Sequence, residues 1–152
     1  MEVLINSVTK YINKQYKILN NKFLILINKK IFEPNLTTIL LIDVAVKIIK
    51  NNDKVLDLGC GSGVVGCYLY KKKIIRHIYG SDISQEAVNC AKYNAKNLTS
   101  NFDIRLSNSL SNWKNEKFNL IINDISGISS RINNISKWFK FAPNQSGNDG
   151  TK

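Results

Sequence analysis

The chain has 152 residues, 43% of them hydrophobic, which is the length and composition of one globular domain. Its 22 Lys and Arg residues against 11 Asp and Glu residues give a net charge of +11, which fits a polyanionic partner such as RNA but equally the Lys- and Asn-rich product of an A/T-rich gene. No apolar run is long enough to cross a bilayer, and three cysteines with one histidine, none at metal-ligand spacing, exclude a zinc site.

Residues 1–30 are predicted to form an N-terminal helix and a short strand. Apolar residues follow a roughly helical spacing within 1–22, namely Val3, Leu4, Val8, Tyr11, Ile12, Ile18 and Leu19. The apolar run 23–27 is rich in β-formers and predicts a strand, which must end before Pro34. The N-terminus lacks a small-residue cleavage site, so it is not a secretory signal, and the free thiols indicate the cytoplasm.

The next segment alternates helices and strands, which is typical of an α/β domain with a Rossmann-like parallel sheet. Short apolar runs predict strands at 55–58, 78–83, 102–106 and 118–123. Helical periodicity predicts helices at 36–50, after residue 63, and within 81–97.

The first of these strands leads into a glycine-rich turn that suits a bound cofactor. A glycine has no Cβ, so the backbone can turn sharply and approach a ligand closely. The helix that follows points free backbone N–H groups at an anionic or polar ligand. Two cofactors fit, because Gly61, Gly63 and Gly66 spell the dinucleotide fingerprint G-x-G-x-x-G. Read from two residues earlier, Asp57, Gly59, Gly61 and Gly63 spell D-x-G-x-G-x-G.

The second pattern resembles motif I of the class I S-adenosylmethionine-dependent methyltransferases. In that family the acidic residue helps hold the methionine end of the cofactor near its ammonium, a role that falls here to Asp57. A dinucleotide site has no use for a carboxylate near its pyrophosphate, which favours S-adenosylmethionine. The resemblance implies that the turn contacts the cofactor through Gly59, Cys60, Gly61, Ser62 and Gly63.

Further cofactor contacts are expected after the next two strands. Asp82 ends the second strand, where an open α/β sheet places the acidic residue that binds a ribose, and its structural alternative is a helix N-cap. The stretch 81–97, SDISQEAVNCAKYNAKN, resembles motif II of the family, which implies that Asp82 and Ile83 bind the cofactor. For the adenine amine the family has an acidic residue after the third strand, where this chain has Asn108, which is equally an ordinary turn residue.

The stretch 31–38, IFEPNLTT, resembles a segment of the "small domain" methyltransferases, a group that includes the release-factor glutamine methyltransferases. In that group the segment helps cover the cofactor. Phe32 and Thr38 are therefore candidate cofactor contacts, with a buried aromatic and a helix-start threonine as the alternatives.

The fourth strand ends where the resemblance places motif IV, the acceptor site. Amine- and amide-methylating members carry Asn-Pro-Pro-Tyr, which holds the substrate nitrogen in line with the methyl group. Asn123 matches the first position, but Asp124, Ile125 and Ser126 depart from the rest. We assign the acceptor contacts to Asn123 and Asp124, with a helix cap as the alternative role of Asp124.

The C-terminal part is predicted to hold a last helix, 128–141, and a polar tail, 142–152. Trp138 and Phe141 lie beside lysines and either pack on the sheet or stack on bases. The class I sheet has seven strands in the order 3-2-1-4-5-7-6, so by resemblance the domain 31–141 supplies four and lacks the C-terminal strands.

Together these patterns predict an S-adenosylmethionine-dependent N-methyltransferase that needs no metal and no membrane. Its acceptor is an RNA base or a glutamine of a ribosomal or translation protein. Two alternatives stay open: a truncated or degenerate fragment that binds the cofactor without turnover, and a nicotinamide-dependent Rossmann enzyme.

Overall fold

The computed structural model describes residues 2–4, 10–125 and 129–135. Its strands are β1 (Glu2–Leu4), β2 (Lys10–Ile18), β3 (Asn21–Ile27), β4 (Val55–Leu58), β5 (Ile78–Asp82), β6 (Phe102–Leu106) and β7 (Leu120–Asn123). Its helices are α1 (Leu36–Ile48), α2 (Val64–Lys71), α3 (Gln85–Lys96) and α4 (Ser130–Ile135). The first three strands form an antiparallel sheet in the order β1-β2-β3, and the others form a parallel sheet in the order β6-β5-β4-β7.

The parallel sheet confirms the predicted α/β fold class and all four predicted strands. Val55, Ile78, Ile104 and Ile122 lie on one face of the sheet, where they are buried against the helices in the main hydrophobic core. All four strands run in the same direction, so their carboxyl ends meet at one edge. Any site built from the residues that follow these strands must lie at that edge.

The helix predicted within residues 1–22 is wrong for the described part of that segment, which forms β1 and β2. In β2 the residues Tyr16 and Ile18 are more buried than their neighbours, Ile12 is more buried than Asn13, and all three pack on the core. A period of two puts them on one face of a strand, although the same residues also satisfy a loose helical spacing. Residues 5–9 lie outside the described part of the chain.

A two-residue turn joins β2 to β3 and explains why the hairpin was not predicted. Leu19 and Asn20 both have positive φ, 43° and 64°. This backbone matches the primed turns that suit the twist of a hairpin, and asparagine adopts it readily. A leucine with positive φ is uncommon, so the sequence carries only half of the turn signal. The strand predicted at 23–27 is confirmed as part of β3.

The antiparallel sheet is fastened to the parallel domain through one buried amide. Asn94 on α3 donates from Nδ2 to the carbonyl oxygens of Leu26 (2.8 Å) and Ser62 (3.0 Å), and its Oδ1 accepts from the Leu26 N–H at 2.9 Å. Leu26 belongs to β3, whereas Ser62 belongs to the glycine-rich turn after β4. One side chain therefore joins three segments that are distant in the sequence.

At the C-terminal end, the described part of the predicted helix 128–141 is residues 129–135, of which 130–135 form α4. Trp138, Phe141 and the predicted tail 142–152 lie outside the described residues, and the predicted domain limits stay predictions. Within the described ranges, β7 pairs with β4 alone, and its Ile121 side chain is exposed. No described helix is long and apolar enough to cross a membrane.

Candidate functional site

A cavity of about 780 Å³ opens at the carboxyl edge of the parallel sheet. It is bounded by the segment before α1, the turn after β4, the end of β5, and the loops after β6 and β7. Of the residues that the sequence singled out, the cavity brings together Phe32, Thr38, Asp57, Gly59, Cys60, Gly61, Ser62, Asp82, Ile83, Asn108 and Asp124. Gly63 and Asn123 are not among the residues that line it.

The turn at residues 59–63, called here the glycine turn, needs glycine at every second position. Gly59, Gly61 and Gly63 have φ values of 77°, 53° and 76°, a region that other residues rarely adopt. The N–H groups of Gly59 and Cys60 donate to the Ser81 carbonyl at 2.8 and 2.9 Å, which fixes the turn against β5. A Cβ added at Gly61 would meet open space, so this position faces the cavity without a side chain.

Gly63, and Gly66 in α2, serve close packing of secondary structure. A Cβ at Gly63 would lie 2.9 Å from the Cβ of Ala91 on α3, and one at Gly66 would lie 2.8 Å from Cγ2 of Ile78 on β5. Gly66 thus lets α2 lie directly on the sheet. Its match to the dinucleotide fingerprint follows from packing and does not require a ligand.

Asp57 is a buried carboxylate on the cavity wall. Its Oδ2 atom has no hydrogen-bond partner among the described residues. Burial, and next the negative charge of Asp82, raise the pKa of Asp57 to about 7, although a hydrogen bond from the Gly66 N–H opposes the rise. A buried carboxylate with an unused oxygen is costly unless a cation or a donor pairs with it.

Asp82 links the glycine turn to the start of α3. Its Oδ2 accepts from the Gly61 N–H and its Oδ1 from the Ser84 N–H, both at 2.9 Å. The N-cap of α3 is Ser84, whose side chain accepts from the Ala87 N–H. The alternative role of Asp82 as the helix cap is therefore excluded by the structure.

The remaining predicted cofactor residues lie on opposite walls. Asn108 is exposed and lines the cavity from the loop after β6. Its backbone carbonyl accepts a hydrogen bond from the Ser111 N–H at 3.1 Å. Thr38 is buried and completes a capping box with Asn35, the N-cap of α1. Phe32 lines the cavity just before that helix.

The loop after β7 approaches the glycine turn at the predicted acceptor side. Asn123 is exposed, and its Oδ1 accepts from the Ile125 N–H at 3.0 Å. The Ile125 side chain covers Gly59 so closely that a Cβ there would lie 2.8 Å from Cγ1 of Ile125. Oδ2 of Asp124 lies 3.4 Å from Oγ1 of Thr37 at the start of α1.

The alternative role of Asp124 as a cap for α4 is not supported, because another side chain occupies that position. Oγ of Ser129 accepts from the Ile132 N–H at 3.4 Å.

The sequence did not single out several polar residues of the cavity wall. Ser107 is buried, donates to the Ser109 carbonyl at 2.8 Å, and shapes the loop that carries Asn108. Thr37 and Lys30 also line the cavity. The cluster of serines at 107–111 marks a loop but gives no signal for which serine is buried.

Comparison with known proteins identifies the family. A sequence model of the methyltransferase small domain family matches residues 35–124. The chain belongs to this family. The ribosomal protein L11 methyltransferase of Lactobacillus johnsonii is 38% identical over 90 residues, which are 59% of this chain and 28% of that protein. The release factor glutamine methyltransferase of Streptococcus pneumoniae is 29% identical over 99 residues, 64% of this chain and 35% of that protein.

The matched region is a small part of those relatives, because it spans about a third of their length or less. The structure of an uncharacterized protein from Listeria monocytogenes serotype 4b superposes with a TM-score of 0.51 over 62% of this chain and 41% of its own, at 15% identity. That similarity shows a shared fold.

The cofactor of the methyltransferase small domain family is S-adenosylmethionine, and the cavity fits it. Three carboxylates line the cavity, from Asp57, Asp82 and Asp124, and the cofactor carries a cationic sulfonium and an ammonium. The unpartnered Oδ2 of Asp57 is a suitable acceptor for that ammonium. The volume of about 780 Å³ lies within the usual range of ligand cavities, roughly 300–1,000 Å³.

The site offers neither a metal centre nor a reactive thiol within the described ranges. No group of three or more His, Cys, Asp or Glu residues there could hold a metal ion. Cys60, Cys67 and Cys90 are free and buried, and burial raises the pKa of each thiol. Cys60 therefore shapes the glycine turn as a small apolar residue.

Proposed function

We propose that this chain binds S-adenosylmethionine in the cavity and that the protein transfers the methyl group to a nitrogen atom. The observation that carries the proposal is the buried Asp57 with an unpartnered Oδ2 beside the glycine turn. In this arrangement the ammonium of the cofactor pairs with Asp57. A nicotinamide dinucleotide would instead bring its pyrophosphate toward this carboxylate, which like-charge repulsion disfavours.

The other cofactor contacts follow from the walls of the cavity. We assign the methionine end to the glycine turn, Gly59, Cys60, Gly61, Ser62 and Gly63. The ribose is assigned to Asp82, whose carboxylate has acceptor capacity beyond its two backbone hydrogen bonds. Asn108 is assigned to the adenine amine, and Phe32 and Ile83 to apolar contact with the cofactor.

The chemistry that the bound cofactor supplies is a methyl group on a sulfonium, already a good leaving group. The protein then has to orient the acceptor nitrogen and keep its lone pair in line. We assign this positioning to Asn123, the last residue of β7, and to Asp124, which follows it. A carboxylate at Asp124 accepts an N–H bond from the acceptor, a contact that partly replaces those made by the family's Pro-Pro-Tyr.

The acceptor is an RNA base or a side chain of a translation protein. The relatives named above methylate a ribosomal protein or a release factor, according to their names. The net charge of +11 is compatible with a partner rich in phosphate. We place this activity in the cytoplasm, where the three free thiols stay reduced.

A second candidate function is cofactor binding without turnover. It is favoured by Asn123, because its Oδ1 is already used by the Ile125 N–H at 3.0 Å. The departure of Asp124 and Ile125 from the family motif points the same way.

The test is calorimetric titration of S-adenosylmethionine into wild type and Asp57→Asn, with NAD as the control ligand. We expect wild type to bind S-adenosylmethionine and not NAD. Asp57→Asn keeps the shape but removes the charge, and it should bind roughly ten- to a hundredfold more weakly. Asp43→Asn is the matched control, because Asp43 pairs with Lys47 on α1 and does not line the cavity. A folded wild type that does not bind S-adenosylmethionine would overturn the proposal.

Turnover is then measured with radiolabelled S-adenosylmethionine on total RNA and on ribosomal protein as separate acceptors. Transfer that falls in Asp124→Ala by much more than cofactor affinity does supports the methyltransferase. Tight cofactor binding with no transfer to either acceptor would favour the second candidate.

A further inference from the structure

Five exposed lysines lie together at the end of the domain that is remote from the cavity. Lys17 and Lys22 come from the β2–β3 hairpin, and Lys71, Lys72 and Lys73 come from the end of α2 and the residues after it. We call these five residues the lysine surface.

Specific contacts hold the two halves of the lysine surface against each other. Nζ of Lys72 donates to Oδ1 of Asn21 at 2.6 Å, and Nδ2 of the same asparagine lies 3.3 Å from the Tyr68 hydroxyl. Nζ of Lys71 lies 5.2 Å from the centre of the Phe23 ring. These contacts place the helix lysines against the hairpin at Asn21 and Phe23, which flank Lys22 in the sequence.

This surface is not neutralised within the described ranges. None of its five lysines forms an ion pair there, because the ion pairs of those ranges use Lys14, Lys30, Lys47, Lys54 and Arg105. Lys17 and Lys22 face each other directly across the hairpin, an arrangement of like charges that destabilises a sheet. The negative end of α2 amounts to about half an elementary charge, too little to balance three lysines.

The charges of the domain are segregated along α2. This helix begins at the glycine turn and ends at Lys71, so its eight residues place the two ends about 12 Å apart. Carboxylates of Asp57, Asp82 and Asp124 line the cavity at one end, and the lysine surface stands at the other. A stabilising role does not account for Lys17 and Lys22, because this like-charged pair costs stability.

We infer that the lysine surface binds the phosphate backbone of a folded RNA. Lysine ammonium groups neutralise phosphates and release their counterions, which supplies affinity without sequence preference. The separation of about 12 Å lets a structured RNA contact the lysine surface while another of its nucleotides reaches the cavity. The inference rests on the proposed function only in making RNA the molecule that carries the acceptor.

The composition of the surface favours RNA over a protein or a membrane. Protein interfaces are depleted in lysine and depend on aromatic or arginine anchors. Membrane binding by a basic cluster is strengthened by apolar side chains that insert into the lipid. Here the neighbouring rings of Phe23 and Tyr68 are buried, at 4% and 2% exposure, and are not available for insertion, whereas Leu24 on β3 is 62% exposed.

The test measures binding of a short fluorescein-labelled RNA hairpin by anisotropy across a series of KCl concentrations. The variants are the triple change K71Q/K72Q/K73Q and the pair K17Q/K22Q. The matched control is K50Q/K114Q/K117Q, which removes the same charge from exposed lysines elsewhere. Thermal unfolding checks that each variant is folded, and the hairpin pair provides a test that is independent of α2.

We expect the triple variant to bind the hairpin about ten- to a hundredfold more weakly and to lower the salt slope by about 2–3, since each phosphate contact contributes roughly 0.7–0.9. The K17Q/K22Q variant should lose less affinity for the RNA hairpin, and the affinity of the control variant should change by less than about twofold. Equal losses in the control and the triple variant would overturn the inference, as would a triple variant that binds like wild type.

Two parallel measurements distinguish RNA binding from membrane binding and from binding of the cofactor. Phosphatidylserine vesicles are titrated with the same proteins. If the lysine variants lose binding to the vesicles but not to the RNA hairpin, the surface binds a membrane and the inference is overturned. S-adenosylmethionine affinity should be the same in all variants. If wild type binds the RNA hairpin but not S-adenosylmethionine, the RNA-binding role of the lysine surface stands and only the proposed function is rejected.

Discussion

Oδ2 of Asp82 accepts a hydrogen bond of 2.9 Å from the backbone N–H of Gly61. The bond joins the end of β5 to the glycine turn after β4. The Asp82 carboxylate, which we assign to the ribose, therefore also holds in place the turn that we assign to the methionine end. Because the second oxygen of Asp82 holds the Ser84 N–H at 2.9 Å, the side chain has little freedom to rotate. The cavity wall is therefore preorganised before a cofactor binds.

Replacing Asp82 should weaken the cofactor site in a graded way. Asp82→Ala removes both backbone contacts and the ribose acceptor, and we expect S-adenosylmethionine affinity to fall about ten- to a hundredfold. Asp82→Asn keeps one carbonyl oxygen and should lose less. Calorimetry measures both, with Asp43→Ala as a control outside the cavity. Equal affinity of Asp82→Ala and wild type would contradict the assignment of the ribose.

The buried Asp57 should make folding stability depend on pH. Burial, followed by repulsion from Asp82, raises the pKa of Asp57 from 3.8 to about 7. Between pH 4 and 7 the unfolded chain loses this proton while the folded chain keeps it, so the contribution is complete below about pH 4, falls as pH rises, and is lost above about pH 7.

The size of this effect is at most about 4 kcal/mol, from a change of roughly three pKa units. Urea unfolding of wild type and Asp57→Asn across that range measures it. As pH rises from 4 to 7, we expect the unfolding free energy of wild type to fall relative to that of Asp57→Asn. A difference that is constant between pH 4 and 7 would refute the raised pKa.

The same titration should shape cofactor affinity. Ionised Asp57 attracts the cofactor ammonium, so affinity should rise as pH passes about 7. An α-amino group has a pKa of about 7.7–8.0, and its loss of charge should lower affinity at higher pH. We expect the affinity of wild type for S-adenosylmethionine to reach a maximum between these two pKa values. In Asp57→Asn the rise in affinity near pH 7 should be absent. Calorimetry over this range supplies the profile, and an unchanged rising limb in the variant would speak against Asp57.

Two glycines of the same turn should respond differently to alanine. Both have positive φ, but a Cβ at Gly63 would lie 2.9 Å from the Cβ of Ala91, whereas one at Gly61 meets open space. Gly63→Ala should cost about 2–4 kcal/mol of unfolding free energy, from backbone strain and overpacking. Gly61→Ala should cost about 1–2 kcal/mol, from strain alone, while obstructing the cofactor. Denaturant curves with cofactor titrations separate the two, and equal stability losses would argue against the packing role.

Asn94 should be the most sensitive polar residue on α3. Asn94→Ala leaves the Leu26 N–H and the Ser62 carbonyl without their buried partner, a loss of about 2–4 kcal/mol. Asn89→Ala is the matched control, because Asn89 lies on the exposed face of α3 and should change stability by less than about 0.5 kcal/mol. Chemical denaturation provides the comparison. A variant at Asn94 as stable as the control would show that other contacts hold the antiparallel sheet in place.

The parallel sheet and much of its cavity were predictable because topology places the residues. Short runs rich in apolar residues predicted the strands, although β4, β5 and β6 also contain charged residues. The carboxyl ends of neighbouring parallel strands then meet at one edge of the sheet. The positions of Asp57 and Asp82 beside the glycine turn follow from that rule alone.

Other features depend on contacts that no local pattern contains. The motif S-D-I-S offers Asp82 and Ser84 as caps two residues apart, and only the three-dimensional path of the backbone selects the serine. Gly66 matches a ligand-binding fingerprint, although its need for a missing Cβ comes from Ile78 on β5. The hairpin was missed because Leu19 adopts a backbone conformation that leucine rarely prefers.

The shared amide of Asn94 has a practical consequence for where a domain boundary is drawn. The family match begins at residue 35. Asn94 bonds to Ser62 in the glycine turn and also to Leu26, which lies before the start of that match. A shortened chain that starts at the family limit would discard β3 and remove the two hydrogen bonds of the Asn94 amide to Leu26, leaving its bond to Ser62. Recombinant fragments should therefore retain β3, which bonds to Asn94, and residues 30–34, four of which line the cavity.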